Sequence, residues 1–144
     1  MARIKINTIN HVGIGVKDRR ASLKFYRDLL GLEIIPSMVD AKNIVWMRAA
    51  DGTMLHLIEP REGTAPPPVP QGAYHNAFEV ENFDDALSVI RGAGLEIEGP
   101  SERHDGQHCF FVRDPDGNRV EIATRGGLKP SKRVVDELGY TREP

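Results

Sequence analysis

Cysteine is almost missing from this chain: Cys109 is the only one in 144 residues. One thiol excludes an internal disulfide and any multi-cysteine zinc site, and it agrees with a reducing compartment. Aromatic residues are also scarce, at 6%. No apolar run approaches the roughly 20 residues that a membrane span needs, and the N-terminus lacks the apolar stretch of a signal peptide. Basic charge is not concentrated either, because 19 Lys and Arg are interspersed with 21 Asp and Glu for a net charge of −2. Without a basic stripe to neutralise phosphates, nucleic acid is excluded as the expected partner. A cytoplasmic protein with a small-molecule partner is the expectation that remains.

What is present is enough apolar residue, 40% of the chain, to fill the core of one compact domain or of two fused half-domains. The chain reads as one module written twice. Asn10-His11-Val12-Gly13-Ile14-Gly15-Val16 and Tyr74-His75-Asn76-Ala77-Phe78-Glu79-Val80 each open on a histidine. Each then leads into a helix-forming stretch, residues 17–30 and 81–93. In the first, Asp18 is the expected N-cap, Leu23, Tyr26, Leu29 and Leu30 recur at helical spacing, and Gly31 ends the helix. Strands are predicted over 9–16, 32–39, 43–49 and 53–59, and again over 73–80, 95–98, 107–113 and 119–124. The Asp51-Gly52 pair and the run Asp114-Pro115-Asp116-Gly117-Asn118 supply turns. Residues 61–72, with Pro66, Pro67, Pro68 and Pro70, form a linker between modules 8–60 and 73–125. A terminal helix is expected over 130–139.

Period-two alternation places aliphatic residues on one face of each strand and ligand-type residues on the other. Val12 and Ile14 oppose His11, Leu55 and Leu57 oppose His56, Phe78 and Val80 oppose His75, and Val120 and Ile122 oppose Glu121. Trp46 and Arg48 alternate with Val45 and Met47 and are candidates for a substrate pocket, Arg48 as a holder of an anionic group. Core or interface packing for Trp46 and a solvated edge charge for Arg48 are the plainer alternatives. Phe110 and, by parity with it, His108 are candidates for the pocket as well, with core packing for Phe110 and a loop-edge surface position for His108 as the plainer alternatives. Glu79 shares the parity of His75 and is a candidate proton-transferring carboxylate, although a surface glutamate at a strand end would look the same.

The pattern Asn10 to Val16 followed by Ser22-Leu23-Lys24-Phe25-Tyr26-Arg27-Asp28-Leu29-Leu30-Gly31-Leu32 resembles the vicinal oxygen chelate superfamily, the group of glyoxalase I, methylmalonyl-CoA epimerase, extradiol dioxygenases and fosfomycin resistance proteins. Val112-Arg113-Asp114-Pro115-Asp116-Gly117-Asn118-Arg119-Val120-Glu121 resembles that family's closing turn and strand. The resemblance implies an α+β fold of two βαβββ modules whose mixed sheets form a cupped half-barrel with flanking helices. It also implies a divalent metal held by residues of the first, fourth, fifth and eighth strands, here His11, His56, His75 and Glu121. That donor set suits iron, manganese, nickel, cobalt or zinc. Two histidines and one carboxylate would leave open positions suited to iron chemistry, whereas all four residues would leave up to two.

The implied activity is Lewis-acid catalysis on a small substrate with adjacent oxygens, by lyase, isomerase or dioxygenase chemistry. Glu121 is the implied ligand and catalytic carboxylate. His56 departs from the glutamate that glyoxalase I has in its fourth strand. Extradiol dioxygenases are usually longer, and no potassium-binding or phosphonate-binding cluster of a fosfomycin transferase is present. The alternative is a metal-free binder of the bleomycin resistance type. Small members of the family also imply a homodimer.

Overall fold

Alternating aliphatic residues generate eight short strands, and the computed structural model arranges them as two sheets of the same connectivity. It describes residues 3–65, 68–69, 72–126 and 135–137. The first sheet has the order β1-β4-β3-β2, with β1 at His11–Gly15, β2 at Glu33–Ile35, β3 at Ile44–Arg48 and β4 at Met54–Ile58. The second has the order β5-β8-β7-β6, with β5 at Asn76–Glu79, β6 at Glu98–Glu102, β7 at His108–Arg113 and β8 at Arg119–Ala123. In each, the opening strand pairs parallel with the closing strand, and the remaining pairs are antiparallel. The fold is therefore α+β, built from two βαβββ modules.

The chain divides into two compact units, Met1–Pro70 with Asp114–Gly117, and Gln71–Arg113 with Asn118–Pro144. The turn Asp114–Gly117 belongs to the first unit although it lies between β7 and β8 in the chain. In that unit Ile14, Val16, Leu55, Leu57 and Met47 form the buried face of the sheet with Phe25 and Tyr26. The Asp114–Gly117 turn is tied in by polar bonds: the Tyr26 hydroxyl donates to Asp114 Oδ2 at 2.8 Å, and the Lys17 amide donates to Asp116 Oδ1 at 2.8 Å. Burial, then the Asp114 charge and hydrogen bond, push the Tyr26 phenol far above its ordinary pKa, so it stays a neutral donor.

Asp18 caps α1, Arg19–Leu23, by accepting from the Arg20 amide. The helix then does not continue as expected. Over Lys24–Leu29 it widens to π winding, with the Leu30 amide bonded to the Phe25 carbonyl at 3.0 Å. Tyr26 is buried as expected, together with Ser22 and Phe25, whereas Leu23, Leu29 and Leu30 are only half-buried. Gly31, at φ +77°, ends it in the left-handed region that glycine tolerates.

In the second unit α2, Phe83–Gly92, is capped by Asn82 accepting from the Asp85 amide. It packs Leu87 and Ile90 into a core with Phe110, Val112, Val120 and Ile122. The strand expected at 95–98 lies instead at Glu98–Glu102, where its register to β7 shifts between Glu98 and Ser101. Gly99 and Pro100 cause the irregularity, which an edge strand tolerates because only one side of it is paired. Of the terminal helix expected over 130–139, only 135–137 lie among the described residues, and these are helical.

Candidate metal centre

The two units carry matching pairs of ligand-type side chains. In the first, β1 and β4 pair so that Gly13, two residues after His11, stands opposite His56. In the second, Ala77, two residues after His75, stands opposite Glu121. His11 corresponds to His75 and His56 to Glu121 at the same register position, so the repeat seen in the sequence extends to the pairing of single residues.

The second unit's pair is charged. Glu121 is 3% exposed, and a buried carboxylate needs partners that replace its hydration. It has two: His75 Nε2 lies 2.9 Å from Oε2, and Arg103 Nη2 donates to Oε1 at 2.7 Å. The other ring nitrogen of His75, Nδ1, is 2.7 Å from the carbonyl of Ala73. A carbonyl only accepts, so Nδ1 carries a hydrogen and Nε2 meets the carboxylate with its lone pair unless a proton or a metal ion lies between them. A backbone carbonyl behind one ring nitrogen is also how histidine ligands are oriented. Phe111 lies edge-on to His75 at 5.5 Å and under the Arg119 guanidinium at 3.7 Å.

The first unit's pair is stacked. The rings of His11 and His56 lie 4.2 Å apart and 14° from parallel, and Trp46 covers the other face of His56 at 4.4 Å and 10°. Trp46 is the register partner of His56 on β3, which explains the contact. Neither His56 Nε2 nor Trp46 Nε1 has a hydrogen-bond partner, although both atoms are buried. Burial, with the nearby His11, holds His56 below the ordinary imidazole pKa, as expected for a ring whose charged form would lose hydration. His11 Nδ1 lies 2.6 Å from Asn10 Oδ1, which commits that nitrogen as a donor and leaves Nε2 for a ligand. A metal lies near the plane of the imidazole that binds it, about 2.1 Å from the nitrogen. Two face-to-face rings do not bring one atom into both planes at that distance.

Imidazoles backed at Nδ1 and a buried carboxylate are the donor types that a divalent metal takes. Among the described residues, no group of three or more His, Cys, Asp or Glu side chains is gathered closely enough to hold one.

Other predicted positions sort by strand face. Glu79 is exposed and shares the face of Ala77 and Glu121. Arg48 is exposed at the end of β3, bound by its Nε to Glu33 at 2.9 Å. Phe110 and His108 are corrected by the register: Phe110 pairs with Ile122, on the face opposite Glu121. Both rings face Phe83 of α2, at 5.4 Å and 5.7 Å. Phe111, which pairs with Glu121, takes the place expected for Phe110. Glu59 accepts from the Arg19 amide at 2.7 Å, at the start of α1. Sequence reasoning missed Phe111 and Arg103. Counting register back through the Asp114–Asn118 turn would have found the first, and nothing periodic marks the second.

The sheets and these side chains define a class of protein: a paired-module fold whose second sheet carries a buried acid on β8 beside a histidine that precedes β5. A family model described as the Glyoxalase/Bleomycin resistance protein/Dioxygenase superfamily matches residues 8–122, and the chain belongs to that superfamily. It is 33% identical over 147 residues to the iron-dependent extradiol dioxygenase of Rhodococcus jostii strain RHA1, covering 94% of this chain and 47% of that protein. It therefore spans about half the length of that relative. It is 31% identical over 123 residues to Virulence protein STM3117 of Salmonella typhimurium strain LT2, covering 82% and 84%. Among solved structures, a glyoxalase/dioxygenase from Nostoc punctiforme superposes with a TM-score of 0.67 at 26% identity, covering 91% of this chain and all of that one.

Proposed function

We propose that the protein is a divalent-metal-dependent enzyme acting on a small substrate with adjacent oxygens, with His11, His75 and Glu121 as ligands. The observation that carries this reading is His75, its Nδ1 committed to Ala73 and its Nε2 directed at a buried carboxylate. The stacked His11 and His56 rings favour His11 alone as the first unit's ligand. His56 is instead held in the first unit between the rings of His11 and Trp46. Iron, manganese, nickel, cobalt and zinc all suit two histidines and a carboxylate.

When bound, the metal supplies Lewis acidity that stabilises developing negative charge on a substrate oxygen. The residues do the rest. Glu121 and His75 would hold the metal from the second unit, and Glu79, exposed on the Glu121 face, is the candidate for moving a proton. Lyase or isomerase chemistry needs that proton transfer, and dioxygenase chemistry draws on the two-histidine, one-carboxylate set. A homodimer and a cytoplasmic location, the latter in keeping with the unpaired Cys109, complete the reading. No helix among the described residues is long and apolar enough to cross a membrane.

One observation favours the rival reading of a metal-free binder: Glu121 is already paired by Arg103 and His75. Elemental mass spectrometry on protein purified anaerobically without added metal separates the two. About one equivalent of a transition metal per chain, lost in Glu121→Ala, supports the enzyme. A protein that holds none and takes up none on titration supports the binder.

A further inference from the structure

Arg3-Ile4-Lys5-Ile6-Asn7 alternates polar and aliphatic residues, the period-two pattern of a strand. Its own sheet has no strand for it to join. β1 begins at His11 opposite Met54, the first residue of β4. Just before Met54 the chain turns through Asp51 and Gly52, where the Gly52 amide donates to the Ala49 carbonyl at 3.0 Å. The Asn10 carbonyl accepts the Met54 amide at 3.3 Å, and β4 has nothing left to pair with earlier residues. Among the described residues no backbone hydrogen bond ties 3–9 to a strand. Ile4 and Ile6 are 90% and 79% exposed.

The far edge of the same sheet carries the complement. β2 is the last strand there, and β3 is the one described strand that pairs with it. Register runs an apolar row from Val12 through Leu55 and Met47 to Ile34. The row stops at Ile34, which is 42% exposed, and Met38 and Val39 shortly after β2 are exposed as well. On the opposite face Glu33 takes the Arg48 Nε at 2.9 Å and still has more than half of its side chain exposed.

We propose that residues 3–7 of one copy add to β2 of a second copy as a further strand, and that the exchange is reciprocal. Antiparallel with Ile4 beside Ile34, or parallel with Ile6 beside Ile34, Lys5 falls opposite Glu33. One pairing thus extends the apolar row on one face and joins opposite charges on the other. The chain's own segment does not reach this edge. A strand outside β2 lies four strand spacings from β1, about 19 Å, whereas the links from Asn7 to His11 span at most about 14 Å. A second copy carries both halves of the contact, so one twofold operation satisfies two segments and two edges and closes. It also covers an edge that would otherwise invite unwanted pairing. The inference rests on the homodimer of the reading above and is independent of any metal.

Sedimentation equilibrium of the full-length protein is expected to show a dimer. Ile4→Asp combined with Ile6→Asp, at exposed positions outside the core, raises its dissociation constant by about a hundredfold or more, because each contact loses two apolar side chains. Far-ultraviolet circular dichroism stays unchanged. Disulfide trapping then identifies the partner, since residues opposite each other in a strand pair stand within disulfide range. Lys5→Cys and Glu33→Cys are placed in separate chains, mixed and oxidised, with the buried Cys109 common to every sample. A cross-linked dimer of one chain of each kind is expected, in clear excess over either variant alone. Equal cross-linking of Lys5→Cys by itself overturns β2 as the acceptor. Closure within one chain that carries both cysteines overturns the second copy as the donor. A wild-type dimer indifferent to the paired Asp substitutions overturns the strand addition while the homodimer stands, and a wild-type monomer overturns both.

Discussion

The imidazoles of His11 and His56 lie face to face, 4.2 Å apart and 14° from parallel, with Trp46 closing the far side of His56. Two neighbouring histidines therefore carry different expectations, although sequence position alone makes both candidate ligands.

Metal content distinguishes them. His11→Ala lowers transition-metal occupancy by about tenfold or more at equal free metal, in line with loss of a ligand or its support. His56→Phe keeps a stacked ring without a ring nitrogen and leaves occupancy near the wild-type level. Loss of metal from His56→Phe, measured by elemental mass spectrometry, would return His56 to the ligand set.

The same residue sets a pH dependence. Burial and the neighbouring His11 lower the His56 pKa in the folded state, from the ordinary value of about 6.5 in the unfolded chain. The unfolded state then binds more protons than the folded state between those two values, so stability rises with pH there. The contribution of neutral His56 is fully present above about pH 6.5 and is lost as pH falls through the lower folded value. Urea midpoints of the metal-free protein should decline on acidification below that point, and decline less in His56→Phe. Parallel curves for the two proteins would contradict the assignment.

Mixing two inactive variants reads out how the ligands are shared. In a homodimer whose sites take His11 from one copy and His75 with Glu121 from the other, a heterodimer of His11→Ala and Glu121→Ala contains one intact site. After co-refolding, metal binding returns to roughly a quarter of the wild-type sites at statistical assortment. If each chain supplies all of its own ligands, no site is intact and binding stays at background.

Tyr26→Phe removes the hydrogen bond from a buried phenol to Asp114 Oδ2. The carboxylate, 5% exposed, loses one donor and keeps the Asp116 amide on Oδ1 at 2.9 Å, so the loss is that of one hydrogen bond to a charged group, about 1.5–3 kcal/mol. Chemical denaturation of the metal-free protein should show that loss, with far-ultraviolet circular dichroism unchanged before unfolding. A difference below about 0.5 kcal/mol, the level of an ordinary surface substitution, would mean that the bond contributes little.

Much of this molecule is legible in its sequence, for reasons that differ from residue to residue. His11 and Glu121 are readable because aliphatic neighbours at every second position fix which face each strand buries. Phe110 and Phe111 are not separable in that way: two adjacent phenylalanines satisfy either parity, and only the pairing of β7 with β8 decides that Phe111 stands beside Glu121. Gly99 and Pro100 disguise β6, since both are poor strand formers and an edge position alone excuses them. The π winding of Lys24–Leu29 is a change in hydrogen-bond offset that leaves no distinct spacing of apolar residues. Arg103 belongs to a turn, and its importance comes from the residue it reaches across the sheet.

The matching registers, Gly13 against His56 and Ala77 against Glu121, give the polypeptide a division of labour between equivalent halves. One scaffold position occurs twice in a single chain, filled once by a neutral ring in an aromatic stack and once by an anion between two cation-capable groups. Each half can be altered with the other as its reference, so His56→Glu is a transplant from one twin to the other. The same duplication lets evolution revise the chemistry at one of the two positions without rebuilding the scaffold that presents it.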